Sequence, residues 1–134
     1  MTRTPPGRGI AAAFFALDAV LVVVFAGIGR ASHQEGLDAA GVWATAWPFL
    51  LGLGAGWLLV RAWRRPAALI PTGIAAWLAT VVIGMLARIA TGEDAAAAFV
   101  IVATATLALL LLGWRALVAL VRRIRASRGP ALAG

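Results

Sequence analysis

An apolar run that ends abruptly in arginines constrains this chain more than any other feature. The run Val42–Val60 contains no charged residue, and Arg61, Arg64 and Arg65 follow it before Pro66. A helix of about 20 apolar residues can cross a hydrocarbon core about 30 Å thick. Arginine is enriched in the cytoplasmic loops that flank such helices. The stretch therefore predicts a membrane-spanning helix whose C-terminal end is cytoplasmic.

Three further apolar runs have a similar length, so we predict an all-α integral membrane bundle of four transmembrane helices. The helices are expected at about 10–29, 42–60, 69–90 and 95–121, within a transmembrane domain at 10–125. Short cytoplasmic tails are expected at 1–9 and 126–134. Only 13% of the residues are charged, about half the share of a typical soluble domain. One soluble core could not bury so much apolar surface, so lipid is the expected solvent.

The distribution of arginine predicts the orientation. Two arginines lie in the N-terminal tail, three in the central loop and five from Arg115 onward. The other two loops are flanked by Arg30 and Arg88 and contain four acidic residues. By the positive-inside rule, both termini of a multi-pass plasma-membrane protein are then cytoplasmic.

The basic ends of the helices predict lipid as the partner. Near the C-terminus, Leu117, Val121 and Ile124 recur at helical spacing, with arginines on the other side. This segment is either a helix end whose arginines extend to the headgroups or an interfacial helix that recognises anionic lipid. Nucleic-acid binding is not expected, because the arginines flank apolar runs and form no basic face with interleaved aromatics. The residues expected to contact headgroups are Arg61, Arg64, Arg65, Arg115, Arg122, Arg123 and Arg125.

Asp18 interrupts the first apolar run near its middle. An aspartate at the centre of a membrane helix costs about 2.5–3.5 kcal/mol, so it is normally paired, protonated or turned to a cavity. Three interpretations stay open: a hydrogen bond to a threonine or tryptophan that joins helices, a proton carrier or cation site, and a side chain extended to the cytoplasm. Trp77 in the third run is a candidate partner at similar depth.

A stripe of small and polar residues on the third predicted helix indicates a side that faces the bundle. Arg88, Gly84, Thr80, Trp77 and Gly73 follow one another at helical spacing. Arg88 either extends to the outer surface to meet the acidic loop or contributes to a cavity. A direct pair with Asp18 is not expected, because the two backbones differ in depth by about 10–13 Å.

Other residues predict packing rather than chemistry. Gly52 and Gly56 have the spacing that lets two membrane helices approach closely. His33 and Arg30 lie just beyond the first run, where a single histidine is more often solvated than a ligand. The chain has no cysteine, which excludes disulfides and thiolate catalysis. Without a nucleophile–base pair or a metal-binding group, we expect no enzyme, no metal site and no cofactor.

The sequence also indicates a repeat. A shift of 58 residues aligns Arg30 with Arg88 and Glu35 with Glu93. The same shift aligns Arg64–Arg65 with Arg122–Arg123. Such a repeat would consist of two parallel hairpins, although topology rules alone also place arginines at equivalent ends.

Three segments carry a resemblance to a known family: FAGIGRASH at 25–33, TAWPFLLGLGAGWLLVRAWRRP at 45–66 and GMLAR at 84–88. From about Ala13 to Leu117, the chain resembles the DUF3054 family of small four-helix membrane proteins, which is typical of actinobacteria and haloarchaea. The resemblance implies a fold but no activity. The matching positions are Asp18, Gly29, Arg30, His33, Trp47, Pro48, Phe49 and Arg88.

A second likeness concerns architecture alone. Small multidrug transporters are similar in size and have an acid in helix one and a tryptophan in helix three, as Asp18 and Trp77 are placed here. This chain has no tyrosine and lacks the flanking motifs, so the likeness implies little about function.

Three functional hypotheses follow. The first is a non-enzymatic structural or accessory membrane protein. The second is a proton-coupled transporter or channel that uses Asp18, with Trp77 and Arg88 lining its cavity. The third is a cofactor or pigment binder with His33 as a ligand. A homo-oligomer is expected, because so small a bundle has little interior; the sequence does not identify a small-molecule ligand.

Overall fold

The computed structural model describes the backbone of residues 7–133 and the side chains of residues 7–128. Every regular element in this range is helical. Its elements are α1 (Arg8–Ser32), α2 (Ala39–Leu59), a short 3₁₀ turn (Ala62–Arg64), a π turn (Leu69–Gly73), α3 (Ile74–Ala90) and α4 (Ala97–Ala133). Four helical segments are long and apolar enough to cross a membrane. The predicted all-helical fold with four such helices is confirmed, and it fits a multi-pass membrane protein.

The helices differ from their predicted bounds mainly at the two ends of the chain. α1 begins at Arg8, and the rest of the predicted N-terminal tail lies almost wholly outside the described residues. α4 continues to Ala133, through most of the segment that was predicted to be a C-terminal tail. Pro48 lies inside α2. The apolar run therefore predicts where a helix can cross lipid, but not where the helix itself begins and ends.

Each helix packs against its neighbours in sequence, and α4 closes the ring against α1. The short connections at 33–38 and 91–96 lie at one end of the bundle, which we call the loop end. α1 begins, α2 ends, α3 begins and α4 departs at the other end, which we call the terminal end. The core between the helices is built from aliphatic and aromatic side chains, among them Val22, Phe25, Phe49, Leu53 and Leu107.

Glycine allows α2 and α3 to approach each other closely. A Cβ atom on Gly52 would lie 2.6 Å from the carbonyl oxygen of Ala79, and one on Gly56 would lie 2.9 Å from that of Ala75. On α3, a Cβ atom on Gly84 would overlap the ring of Phe49. These glycines therefore set the distance between two backbones, as in other membrane helix pairs.

The two connections at the loop end are built alike, 58 residues apart. Arg30 Nε donates to the carbonyl of Gly36 at 2.6 Å, and Arg88 Nε donates to that of Asp94 at 2.7 Å. Each arginine carbonyl accepts the backbone N–H five residues later, from Glu35 and Glu93. These matched bonds support the repeat that the sequence indicates, because arginine spacing alone would not impose the same loop geometry.

Candidate functional site

A buried ion pair joins α1 to α4 near the terminal end. Arg115 Nη1 lies 3.0 Å from Asp18 Oδ1, and Arg115 Nη2 lies 2.5 Å from Asp18 Oδ2. Both side chains are completely buried. The guanidinium thus binds the carboxylate with two parallel hydrogen bonds, the geometry that matches an arginine to a carboxylate best. Residues 97 positions apart in the sequence (115 minus 18) meet here.

Two indole groups complete the coordination of the carboxylate. Trp57 Nε1 on α2 donates to Asp18 Oδ2 at 3.0 Å, and Trp114 Nε1 on α4 donates to Oδ1 at 3.0 Å. Each carboxylate oxygen therefore accepts two hydrogen bonds, and all four come from N–H groups. Guanidinium and indole N–H groups donate hydrogen bonds and do not accept them. The arrangement therefore suits a carboxylate and offers no acceptor to a carboxyl proton.

Arg115 also ties the connection between α2 and α3 to the bundle. Its Nε donates to the carbonyl of Pro66 at 3.0 Å, and its Nη1 donates to that of Leu111, one turn earlier on α4, at 2.9 Å. The absence of a side chain at Gly73 leaves room for the arginine, because a Cβ atom there would lie 3.0 Å from Arg115 Cδ. Backbone carbonyls thus accept two of the three guanidinium hydrogens that the carboxylate does not accept.

Aromatic rings enclose the ion pair. Trp114 stacks on Phe14 with ring centroids 5.3 Å apart, and Trp57 meets Phe15 edge to face at 5.1 Å. The guanidinium carbon of Arg115 lies 4.4 Å from the centroid of Trp114. These rings exclude water, which strengthens each polar contact and would make an unpaired charge costly at the same place. We call Asp18, Arg115, Trp57 and Trp114 the buried cluster.

Two predictions about this region are wrong. Arg115 was expected at the lipid headgroups, but its side chain is buried against Asp18 because that helix side turns toward α1 and Pro66. Trp77 is a candidate partner of Asp18 in the sequence, but its indole N–H donates to the carbonyl of Thr104 at 3.0 Å. Asp18 is instead level with Trp57, which lies two residues before the end of α2, so it sits nearer the terminal end than its position in the apolar run suggested.

The 58-residue shift also relates Arg115 to a residue of the first hairpin. Residue 115 is 58 positions after Trp57, so the two partners of Asp18 occupy equivalent positions in the two hairpins. The position equivalent to Asp18 is Ala76, which is buried without a charge. Asp18 therefore bonds to Trp57 in the first hairpin and to the residue at the equivalent position in the second hairpin, Arg115.

The other predicted site residues do not join the buried cluster. Arg88 bonds the carbonyl of Asp94, and its guanidinium carbon lies 4.5 Å above the ring of Phe99. Arg88 thus contacts the acidic loop, as one of its two interpretations expects, but it bonds a backbone carbonyl of that loop and not a carboxylate. Thr80 Oγ1 is buried and has no hydrogen-bond partner.

At the loop end, Arg30 forms an ion pair with Glu35 at 3.2 Å and donates to Thr45 Oγ1 at 3.3 Å. His33 is exposed just after α1. Among the described residues, no group of three histidine, aspartate or glutamate side chains is arranged to hold a metal ion.

No curated protein and no solved structure matches the chain significantly. A family model described as "Protein of unknown function (DUF3054)" matches residues 15–118, which is most of the chain and includes every member of the buried cluster. The four apolar helices agree with the fold that the sequence resemblance implied. The chain belongs to the DUF3054 family.

Proposed function

We propose that this chain is a structural or accessory protein of the membrane, without catalytic turnover, and that the buried cluster joins its helices. The observation that carries the proposal is that Asp18 and Arg115 are fully buried and bond to each other, to two indoles and to two backbone carbonyls. In residues 7–128 these are the only charged side chains that are fully buried. Each of the two carboxylate oxygens of Asp18 accepts two hydrogen bonds from protein N–H groups.

The position of the cluster also supports a structural role. The carboxylate bonds side chains on α2 and α4, and Arg115 also bonds the α2–α3 connection at Pro66, so four parts of the chain meet at this ion pair. A group that carries a proton or a substrate must exchange partners during its cycle. Breaking a fully buried ion pair leaves an uncompensated charge at a cost of about 3–5 kcal/mol, which opposes such an exchange here.

The proposal places both termini in the cytoplasm. Its support is the separation of charge along the bundle: the acidic residues outside the cluster, Glu35, Asp38, Glu93 and Asp94, are all at the loop end, and their arginine neighbours are Arg30 and Arg88. The uncompensated arginines are at the terminal end, as the positive-inside rule requires of a cytoplasmic face.

The experiment compares Asp18→Leu with the double variant Asp18→Leu/Arg115→Met. We expect Asp18→Leu to lower the free energy of unfolding by about 3–5 kcal/mol, because it leaves Arg115 buried and unpaired. The double variant should regain most of this loss, because apolar side chains replace both charges. The measurement is the unfolding of the purified protein in mixed micelles with increasing dodecyl sulfate.

Proton flux into liposomes that contain the same proteins separates this proposal from the transport hypothesis. Wild type and double variant should both show the flux of protein-free liposomes. A flux in wild type that disappears in the folded double variant would make Asp18 a proton carrier and overturn the proposal. A visible absorbance band in purified protein that His33→Ala removes would favour the cofactor hypothesis.

A further inference from the structure

The last part of α4 extends beyond the bundle. After Arg115, every residue from Ala116 to Arg128 is exposed except Val118, which is half-buried. These 13 residues (116 to 128), which we call the α4 extension, span about 20 Å at 1.5 Å per residue. No other helix of the described chain packs against their exposed sides. The extension therefore presents a surface that the described part of the chain leaves uncovered.

One side of the extension is apolar. Leu117, Leu120, Val121 and Ile124 follow one another at helical spacing, with exposed fractions between 40% and 61%. They continue the exposed side of α4 within the bundle, where Leu109 is 72% exposed. In a membrane-spanning bundle that exposed side contacts lipid. The apolar surface thus runs without interruption from the membrane-spanning part of α4 onto the extension.

The apolar side points away from the bundle. Arg115 points inward to Asp18, and Leu117 follows it by two residues, a rotation of about 200° around the helix axis. A helix that leaves the bilayer and leans outward turns this side toward the lipid. The arrangement therefore lets the apolar stripe contact acyl chains while the bundle side of the extension faces water.

The α4 extension is positively charged, so it is complementary to an anionic surface. Four arginines, Arg122, Arg123, Arg125 and Arg128, lie within it, and no acidic residue occurs between Ala97 and Arg128. Beside it at the terminal end, exposed arginines are also found at the start of α1 and in the connection after α2. In the described part of the chain these are Arg8, Arg61, Arg64 and Arg65.

We propose that the α4 extension binds the surface of an anionic bilayer, with its apolar stripe on the acyl chains and its arginines on the lipid phosphates. Apolar contact and attraction between arginine and anionic headgroups are the two contributions that hold an amphipathic helix at an interface. A second copy of the chain fits less well, because parallel pairing would bring eight arginines together without an acidic partner. The proposal does not depend on the function of the buried cluster.

Spin labels on the full-length protein can test this proposal directly, because the chain contains no cysteine to remove. Ile124→Cys places a nitroxide on the apolar stripe, and Ala126→Cys is the matched control about 160° away around the helix. Each labelled protein is placed in nanodiscs of phosphatidylcholine, with and without phosphatidylglycerol. Collisions with oxygen report lipid exposure, and collisions with a water-soluble nickel complex report aqueous exposure.

We expect phosphatidylglycerol to raise the ratio of oxygen to nickel collisions several-fold at position 124 and to leave position 126 accessible to nickel. Arg122→Gln/Arg123→Gln/Arg125→Gln should remove most of this lipid dependence, as should high salt. Equal nickel access at both positions in every lipid would overturn the proposal. Dipolar broadening between labels at position 124, lost on dilution with unlabelled protein, would also overturn it and identify a second copy as the partner.

Discussion

At the residue scale, the buried cluster shows how a membrane bundle can contain a full charge on each of two side chains. Transferring either ion alone into a low-dielectric interior is costly, and attraction repays the cost only when geometry is good and the remaining hydrogens are bonded. Here Arg115 has two carboxylate contacts and two backbone carbonyls. Asp18 has two indoles in addition to the arginine. The bonds of the cluster can all form only in one arrangement of the helices. The cluster therefore favours that arrangement over other ways of packing them.

The indole hydrogen bonds can be tested separately from the ion pair. We expect Trp57→Phe to lower the free energy of unfolding by about 1.5–3 kcal/mol, the usual contribution of a hydrogen bond to a charged group. Trp43→Phe is the matched control, because Trp43 is 62% exposed. The same unfolding titration in mixed micelles measures both. Equal effects of the two substitutions would contradict a specific role of the indole N–H.

At the element scale, the two helical hairpins that align at a shift of 58 residues pack differently. Gly52 and Gly56 let α2 lie close against α3, whereas the equivalent positions of α4 are Leu110 and Trp114. Trp114 lies at the junction between α4 and α1, where its indole bonds Asp18 beside the ion pair. One junction is thus closed by backbone contact, and the other is closed by large and charged side chains.

Glycine substitutions in α2 distinguish backbone contact from intrinsic helix preference. Gly52→Ala should lower the free energy of unfolding by about 1–3 kcal/mol, because the new methyl group meets the Ala79 carbonyl and the backbone cannot move aside. Gly54→Ala, on the same helix, has no neighbour within 4 Å of the new Cβ atom. It should be neutral or stabilising by up to about 1 kcal/mol, since alanine favours helix over glycine. Similar losses at both positions would show that α2 and α3 are not in close contact.

At the scale of the whole molecule, charge is separated along the bundle axis. The neutral buried cluster contributes nothing to this separation, because Asp18 and Arg115 cancel. The loop end contains acidic residues and two arginines bonded to backbone carbonyls, whereas the terminal end contains exposed arginines. This difference between the ends predicts one orientation in a bilayer.

Single cysteines test that orientation. Thr91→Cys lies at the loop end and Ser127→Cys on the α4 extension; both positions are exposed. In intact spheroplasts, a membrane-impermeant maleimide should label Thr91→Cys and not Ser127→Cys, and permeabilised membranes should label both. The opposite pattern would place the termini outside and contradict the proposed topology.

The sequence by itself determined the helices, because about 20 apolar residues in a row leave the backbone few ways to satisfy its hydrogen bonds in lipid. It also indicated that Gly52 and Gly56 lie at a close helix contact and that Arg30 and Arg88 lie at the loop end. These positions follow from spacing within a single helix. Only the tertiary structure decided the partner of Asp18. Hydropathy treats Arg115 as one more basic residue after an apolar run, and whether it points to lipid or to Asp18 depends on how α4 is rotated against α1. That rotation is set by packing between helices nearly 100 residues apart, which local pattern does not encode.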